Sequence, residues 1–171
     1  MEFFLAVLLC LFFIMLAFVG WIHMGMEQQK ARAIVYARKM EPDIDAWVFQ
    51  AAESAKRHSS DTAAVNMFLL TADNYFNCKK SRDILKKVSI VNQLAAQAVS
   101  MADSGMLRVS AELENNEFSG SIERLIELRP LYNRCVRNLS KRLEKRIPAT
   151  IGKLFRVRRL EELNEAFESI M

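Results

Sequence analysis

The stretch FFLAVLLCLFFIMLAFVGWI, Phe3 to Ile22, runs for 20 residues without a charge. As a helix rising about 1.5 Å per residue it is about 30 Å long, which matches the hydrocarbon core of a bilayer. A soluble helix this apolar needs a partner on every face, and the roughly 150 residues that follow are too few to supply them. Trp21 stands where an interfacial ring is expected. A cleaved signal peptide would carry a basic n-region and a shorter apolar core, whereas the only charge before this run is Glu2. A lipoprotein reading through Val7 to Cys10 fails because Leu9 is not small. Residues 1–26 are therefore read as an uncleaved membrane anchor with a short N-terminal tail.

No lysine or arginine precedes the run, and Lys30, Arg32, Arg38 and Lys39 follow it. Basic residues close to a span are held on the cytoplasmic side, so the rest of the chain is expected in the cytoplasm. With 5 glycines and 3 prolines in 171 residues, turns are scarce and helix is the default. Beyond the anchor, apolar residues recur at helical spacing. Ile44, Trp47, Val48 and Ala51 form one stripe after Pro42, where the first helix is expected to break or kink. Val65, Phe68, Leu69, Ala72 and Phe76 form a second. Whether 43–77 is one helix or two stays open, with Ser59 to Asp61 offering a turn. Ile84, Leu85, Val88, Val91, Ala95, Ala98, Val99 and Ala102 mark a helix over 81–102, perturbed near Gly105. Leu125, Leu128, Tyr132, Cys135, Leu139 and Leu143 mark another, bent or started late at Pro130 and ended at Pro148. From about Arg159 the spacing of Leu160, Leu163, Phe167 and Ile170 predicts a short amphipathic helix.

Such helices are marginal alone and must pack together. The expected fold is all-α: a single N-terminal transmembrane helix followed by an antiparallel three- or four-helix bundle of long amphipathic helices. Residues 27–158 form the cytoplasmic bundle and 159–171 the C-terminal amphipathic helix. A long parallel coiled coil is disfavoured because no strict heptad is sustained.

Nothing in the chain carries a catalytic signature. It lacks a phosphate-cradling glycine loop, an HExxH pair and a GxSxG elbow. Cys10, Cys78 and Cys135 are too far apart for a local metal or redox motif, and neither His23 nor His58 has a glutamate three residues before it. No catalytic, cofactor or metal residue is assigned, and the scattered methionines read as packing filler. The informative feature is charge. Residues 1–128 are net −2, residues 129–159 net +10, and residues 160–171 net −4. Arg137, Lys141, Arg142, Lys145, Arg146, Lys153 and Arg156 are the candidate contacts to an acidic partner or to anionic lipid. Nucleic acid is disfavoured, since no exposed aromatics interleave these charges.

Within this basic region Arg129, Tyr132-Asn133, Val136, Asn138, Pro148, Ile151 and Leu154-Phe155 fall in an order and spacing that resemble the end of the LemA family of bacterial membrane-anchored helical proteins. Upstream, Leu107 to Leu113 is similar to an LQLQEEL stretch of that family, and Asp45 to Ser60, with Trp47, resembles its AW helix. The resemblance implies an anchor, a short external tail and a cytoplasmic bundle without a catalytic site. It also implies a location in the bacterial inner membrane, or in an internal membrane derived from it, as for the family's magnetosome relatives. Residues and resemblance together suggest a non-enzymatic membrane scaffold or adaptor presenting its bundle to the cytoplasm. The alternative is a peripheral lipid-organising or membrane-shaping protein that uses the basic 129–159 face. The expected partners are the lipid bilayer and a membrane or cytoplasmic protein; self-association is left open, and no small-molecule substrate is expected.

Overall fold

The computed structural model describes residues 2–58, 63–78, 84–103 and 116–164. These residues are helical throughout most of their length, without a strand among them. The helices are α1 (Glu2–His58), α2 (Ala63–Asn77), α3 (Ile84–Asp103), α4 (Asn116–Leu143) and α5 (Arg146–Leu154).

The first helix is 57 residues long, about 85 Å, and does not break at Pro42. An interior proline removes one helical hydrogen bond and costs about 3 kcal/mol. Pro42 is exposed, and the helix is held on both sides of it by fully or nearly fully buried Met40, Ile44, Trp47 and Val48. Tertiary burial therefore overrides the local penalty. Pro130, likewise exposed, sits inside continuous α4. That helix also runs unbroken through the Phe118-Ser119-Gly120-Ser121 stretch.

The buried seam of α1 comprises Met26, Ala33, Ala37, Met40, Ile44, Trp47, Val48, Ala51, Ala52 and Ala55, a stripe of three- and four-residue steps rich in alanine. Small side chains let a neighbouring helix approach closely, and α4 packs there with Leu125, Tyr132, Cys135, Val136, Leu139 and Leu143. The two helices are antiparallel: Arg142 lies against Gly25, and Arg124 clasps buried Asp43 at 2.8 Å. On α2 and α3, Val65, Phe68, Ala72, Val88, Val91, Ala95 and Ala98 are buried as expected. The aromatic that α2 buries is Tyr75; Phe76 is exposed. Leu94 and Met101 join the core of α3.

The joint after α4 lies at Glu144 and Lys145, and Pro148 does not mark it. Lys145 caps α5 with extended backbone, and Pro148 occupies the third position of that helix, where an amide has no helical acceptor. A Schellman turn ends α5: Val157 N–H donates to Gly152 O at 2.8 Å and Arg156 N–H to Lys153 O at 3.2 Å. Arg156 holds the left-handed position of that turn, φ 54°, where glycine is usual.

The helix expected from Arg159 does not begin there. Residues 157–164 form a non-helical strap that runs back along α4. Leu160 and Leu163 are buried, so their three-residue spacing reflects two anchor points and not a helical face. Asn133 reads the strap's main chain with both ends of its amide: Nδ2 donates to Leu163 O at 2.9 Å, and Leu163 N–H donates to Oδ1 at 2.8 Å. Tyr132 donates to Glu161 O at 2.8 Å. From α3, Asn92 makes the matching pair, donating to Glu162 O at 2.8 Å and accepting from Asn164 N–H at 2.9 Å. The expected positions Ser59 to Asp61, Gly105, Leu107 to Leu113, Phe167 and Ile170 lie outside the described residues, as do the side chains of Ile84 and Leu85.

Two stability changes of opposite sign are expected in chemical denaturation followed by circular dichroism. Pro42→Ala should stabilise by about 1–3 kcal/mol, restoring a helical amide at an exposed site. Asn133→Ala should destabilise by about 2–4 kcal/mol, because it strips two hydrogen bonds from buried groups.

Candidate functional site

The apolar arm of α1 and the basic candidates meet at one end of the packed helices. From Phe3 to Phe18 every residue of α1 is exposed; Val19 and Ile22 are partly buried, and Met26 is fully buried. The body begins about one turn past Ile22. Because α4 is antiparallel to α1, its C-terminal end arrives at this level, and α5 follows immediately. The His23 and Phe155 rings lie 4.3 Å apart between centroids. Gly152 fits among Leu143, Met26 and Val157, so tightly that a Cβ there would stand 2.6 Å from Leu143 Cδ2.

Six of the seven basic candidates gather here. Lys141, Arg142 and Lys145 line a groove of about 330 Å³ with Gln29 and Asn138. Arg146, Lys153 and Arg156 are exposed on and just after α5. Arg137 is set apart: it lies about one and a half turns of α4 farther from the arm than Arg142 and pairs with Glu162 of the strap at 3.5 Å.

The exposed side of α5 is mixed in a particular way. Ile147 and Leu154, seven residues apart, project as neighbours on one stripe and are 59% and 74% exposed; Phe155, at 47%, extends it. Arg146 and Lys153, also seven apart, form a parallel basic stripe beside it. A small helix that buries Ile151 and Gly152 while presenting two apolar side chains next to two cations is suited to a surface that is apolar below and anionic above.

The residues that resembled the LemA pattern divide between core and surface. Trp47, Tyr132, Asn133, Val136 and Ile151 are buried, while Asn138, Leu154 and Phe155 are exposed and Pro148 is half-buried. Arg129 reaches Asn164 O at 3.5 Å. Burial, with the nearby Glu161 and Glu162 charges, raises the Tyr132 phenol above its ordinary range, so it stays a neutral hydrogen-bond donor. Burial also raises the Cys135 thiol.

One polar cluster escaped the sequence reading. Tyr75 on α2 donates a short hydrogen bond to Asp45 on α1, and Lys87 on α3 lies 2.7 Å from Glu41, 3.7 Å from Asp45 and 4.8 Å from the Tyr75 ring centre. These groups are scattered in sequence, and no local pattern marks them. Burial, then the Asp45 hydrogen bond and charge, push Tyr75 well above its ordinary value. Burial opposes the Lys87 ammonium, but the Glu41 hydrogen bond and the Asp45 and Glu41 charges outweigh it and raise its pKa. The cluster fastens three helices together and opens on no roomy cleft. Among the described residues no three His, Cys, Asp or Glu side chains converge as metal ligands. No family model, curated protein or solved structure matches the chain.

The cluster should make folding stability sensitive to base. An unfolded Tyr75 ionises near its ordinary 10.0, while the folded phenol resists, so base favours the unfolded chain. The Lys87 contribution is complete below its ordinary 10.5 and is lost as pH rises through the higher folded value. Stability should fall above about pH 10, and Tyr75→Phe combined with Lys87→Met should flatten that fall in denaturation curves recorded from pH 8 upward.

Proposed function

We propose that the protein is a single-span, membrane-anchored helical bundle that uses its basic face to bind and organise anionic lipid. The body lies on the cytoplasmic side of a bacterial inner membrane or a membrane derived from it, and the LemA resemblance is retained as part of this reading. One observation carries it: the basic groups and the exposed apolar stripe of α5 stand at the base of the arm that is long and apolar enough to cross a bilayer. A bilayer crossed by Phe3 to Ile22 ends about 5 Å above Gly25, against which Arg142 lies. That distance is within the Debye length of about 8 Å at physiological salt. Basic residues in this layer contribute about 1 kcal/mol each toward anionic lipid. Ile147, Leu154 and Phe155 then enter the headgroup boundary, tethering α5 to the same leaflet that holds the arm.

A scaffold role is the second reading, favoured by exposed apolar side chains away from this end. Phe49 on α1 and Met67 and Leu70 on α2 are each at least 60% exposed, a composition suited to a protein partner. The two roles are compatible, and neither needs a catalytic group.

The lipid role predicts depth. With an environment-sensitive fluorophore at a cysteine replacing Ile147 in the reconstituted full chain, lipid-borne quenchers should reach the probe in bilayers containing anionic lipid. Quenching should fall as salt is raised, and should fall in the Lys141→Glu, Arg142→Glu, Lys145→Glu chain. Equal quenching in neutral bilayers, or none in either, would remove lipid organisation and leave the scaffold reading.

A further inference from the structure

The groove between α3 and α4 is built to hold a peptide by its main chain. Asn92 and Asn133 each place a donor and an acceptor against the strap, and Tyr132 adds a fifth hydrogen bond to a backbone carbonyl. Buried side-chain recognition is confined to two apolar anchors, Leu160 and Leu163, with Arg137 meeting exposed Glu162 between them. The groove therefore recognises an extended Leu-x-x-Leu segment with acidic residues between the leucines, and any copy of residues 160–164 satisfies it equally.

We propose that this groove also accepts the 160–164 strap of a second copy of the chain, giving a tail-exchanged pair. Three features support exchange. The strap is joined to α5 by Arg156, a non-glycine residue held in the left-handed region, and a strained hinge invites swapping because the straightened form relieves it. The Asn92 bonds lie on the exposed side, so water can enter there first and the strap can leave its groove in stages. From Arg156 to Leu163 the extended chain reaches roughly 23 Å; about 15 Å of axial travel from the Leu143 level to Asn133 leaves roughly 17 Å sideways, against 8–10 Å between packed helices. If the arm spans a bilayer, every groove also sits at the same depth, and exchange needs only a lateral neighbour. The exchange itself does not depend on lipid contact by α5.

The test uses two full chains reconstituted together in vesicles. The donor carries a benzophenone amino acid in place of Glu161, whose exposed side chain takes no part in the clamp, and Asn92→Ala to loosen its own groove. The acceptor is tagged, keeps its groove, and has its strap disabled by Leu160→Ser and Leu163→Ser. Illumination should yield a donor–acceptor adduct mapping to α3 or α4 near Asn92 and Asn133. Its yield should rise with surface density and drop several-fold when the acceptor carries Asn92→Ala. Arg156→Gly in the donor, which removes the hinge strain of the turned-back form, should lower the yield as well. Circular dichroism of each chain shows that the helices are retained. Cross-links confined within the donor at every surface density would overturn exchange, and so would an adduct undiminished by Asn92→Ala in the acceptor.

Discussion

The continuity of α1 is the constraint on which the rest of the structure depends. One uninterrupted helix carries the exposed apolar arm and, beyond Ile22, the alanine-rich seam that accepts α4. An unbroken helix has no hinge, so the depth of the arm and the height of every packed residue are rigidly related at about 1.5 Å per residue. Pro42 would make a natural joint, and burial of Met40, Ile44, Trp47 and Val48 holds the helix through it. The penalty of an exposed proline is a few kcal/mol, comparable to the burial of one or two large side chains, and four flank this one.

The antiparallel register of α4 follows from that seam and determines what stands at the arm's base. With Arg124 at Asp43 and Arg142 at Gly25, the C-terminal end of α4 can reach only the junction of arm and body. The chain then turns at Glu144 and Lys145 into α5, and Gly152 admits the close contact with Leu143 of α4, beside Met26 of α1, that seats this helix. Seating Ile151 and Gly152 inward leaves Ile147, Leu154 and the two flanking cations outward. The mixed apolar and basic surface is thus a consequence of packing geometry, and its composition is what the net +10 segment supplies.

Much of this was legible in the sequence because burial imposes a period. The stripes through Ile44, Trp47 and Val48, through Val88 and Val91, and through Tyr132, Leu139 and Leu143 are where the spacing put them. Legibility failed where two structures share a spacing or where the interaction is nonlocal. Tyr75 and Phe76 are adjacent aromatics, and the one that turns inward meets the Asp45 carboxylate, 30 residues away, and Lys87 from a third helix. Leu160 and Leu163 fit a helical face as well as a strap with two anchors; the amides of Asn92 and Asn133 select the strap by capturing main-chain groups that a helix would have used internally. The signal available was Asn133 itself, a polar residue in the buried phase of α4. A buried amide needs both a donor and an acceptor, and an unfolded-looking peptide is the partner that offers both.

The same reasoning explains why the strap and α5 work as a unit. Arg156 terminates α5 with a Schellman turn whose last bond, Val157 N–H to Gly152 O, already points the chain back along α4. Release of the strap would leave α5 held by buried Ile151, the Gly152 contact and the His23–Phe155 ring pair, a small area for a nine-residue helix. Helices this short are unstable without tertiary support. The orientation of the exposed stripe at the arm's base is therefore fixed from the opposite direction as well, by two asparagines more than a helical turn deeper in the body. A change at Asn92 or Asn133 acts on the α5 end without touching any residue in it.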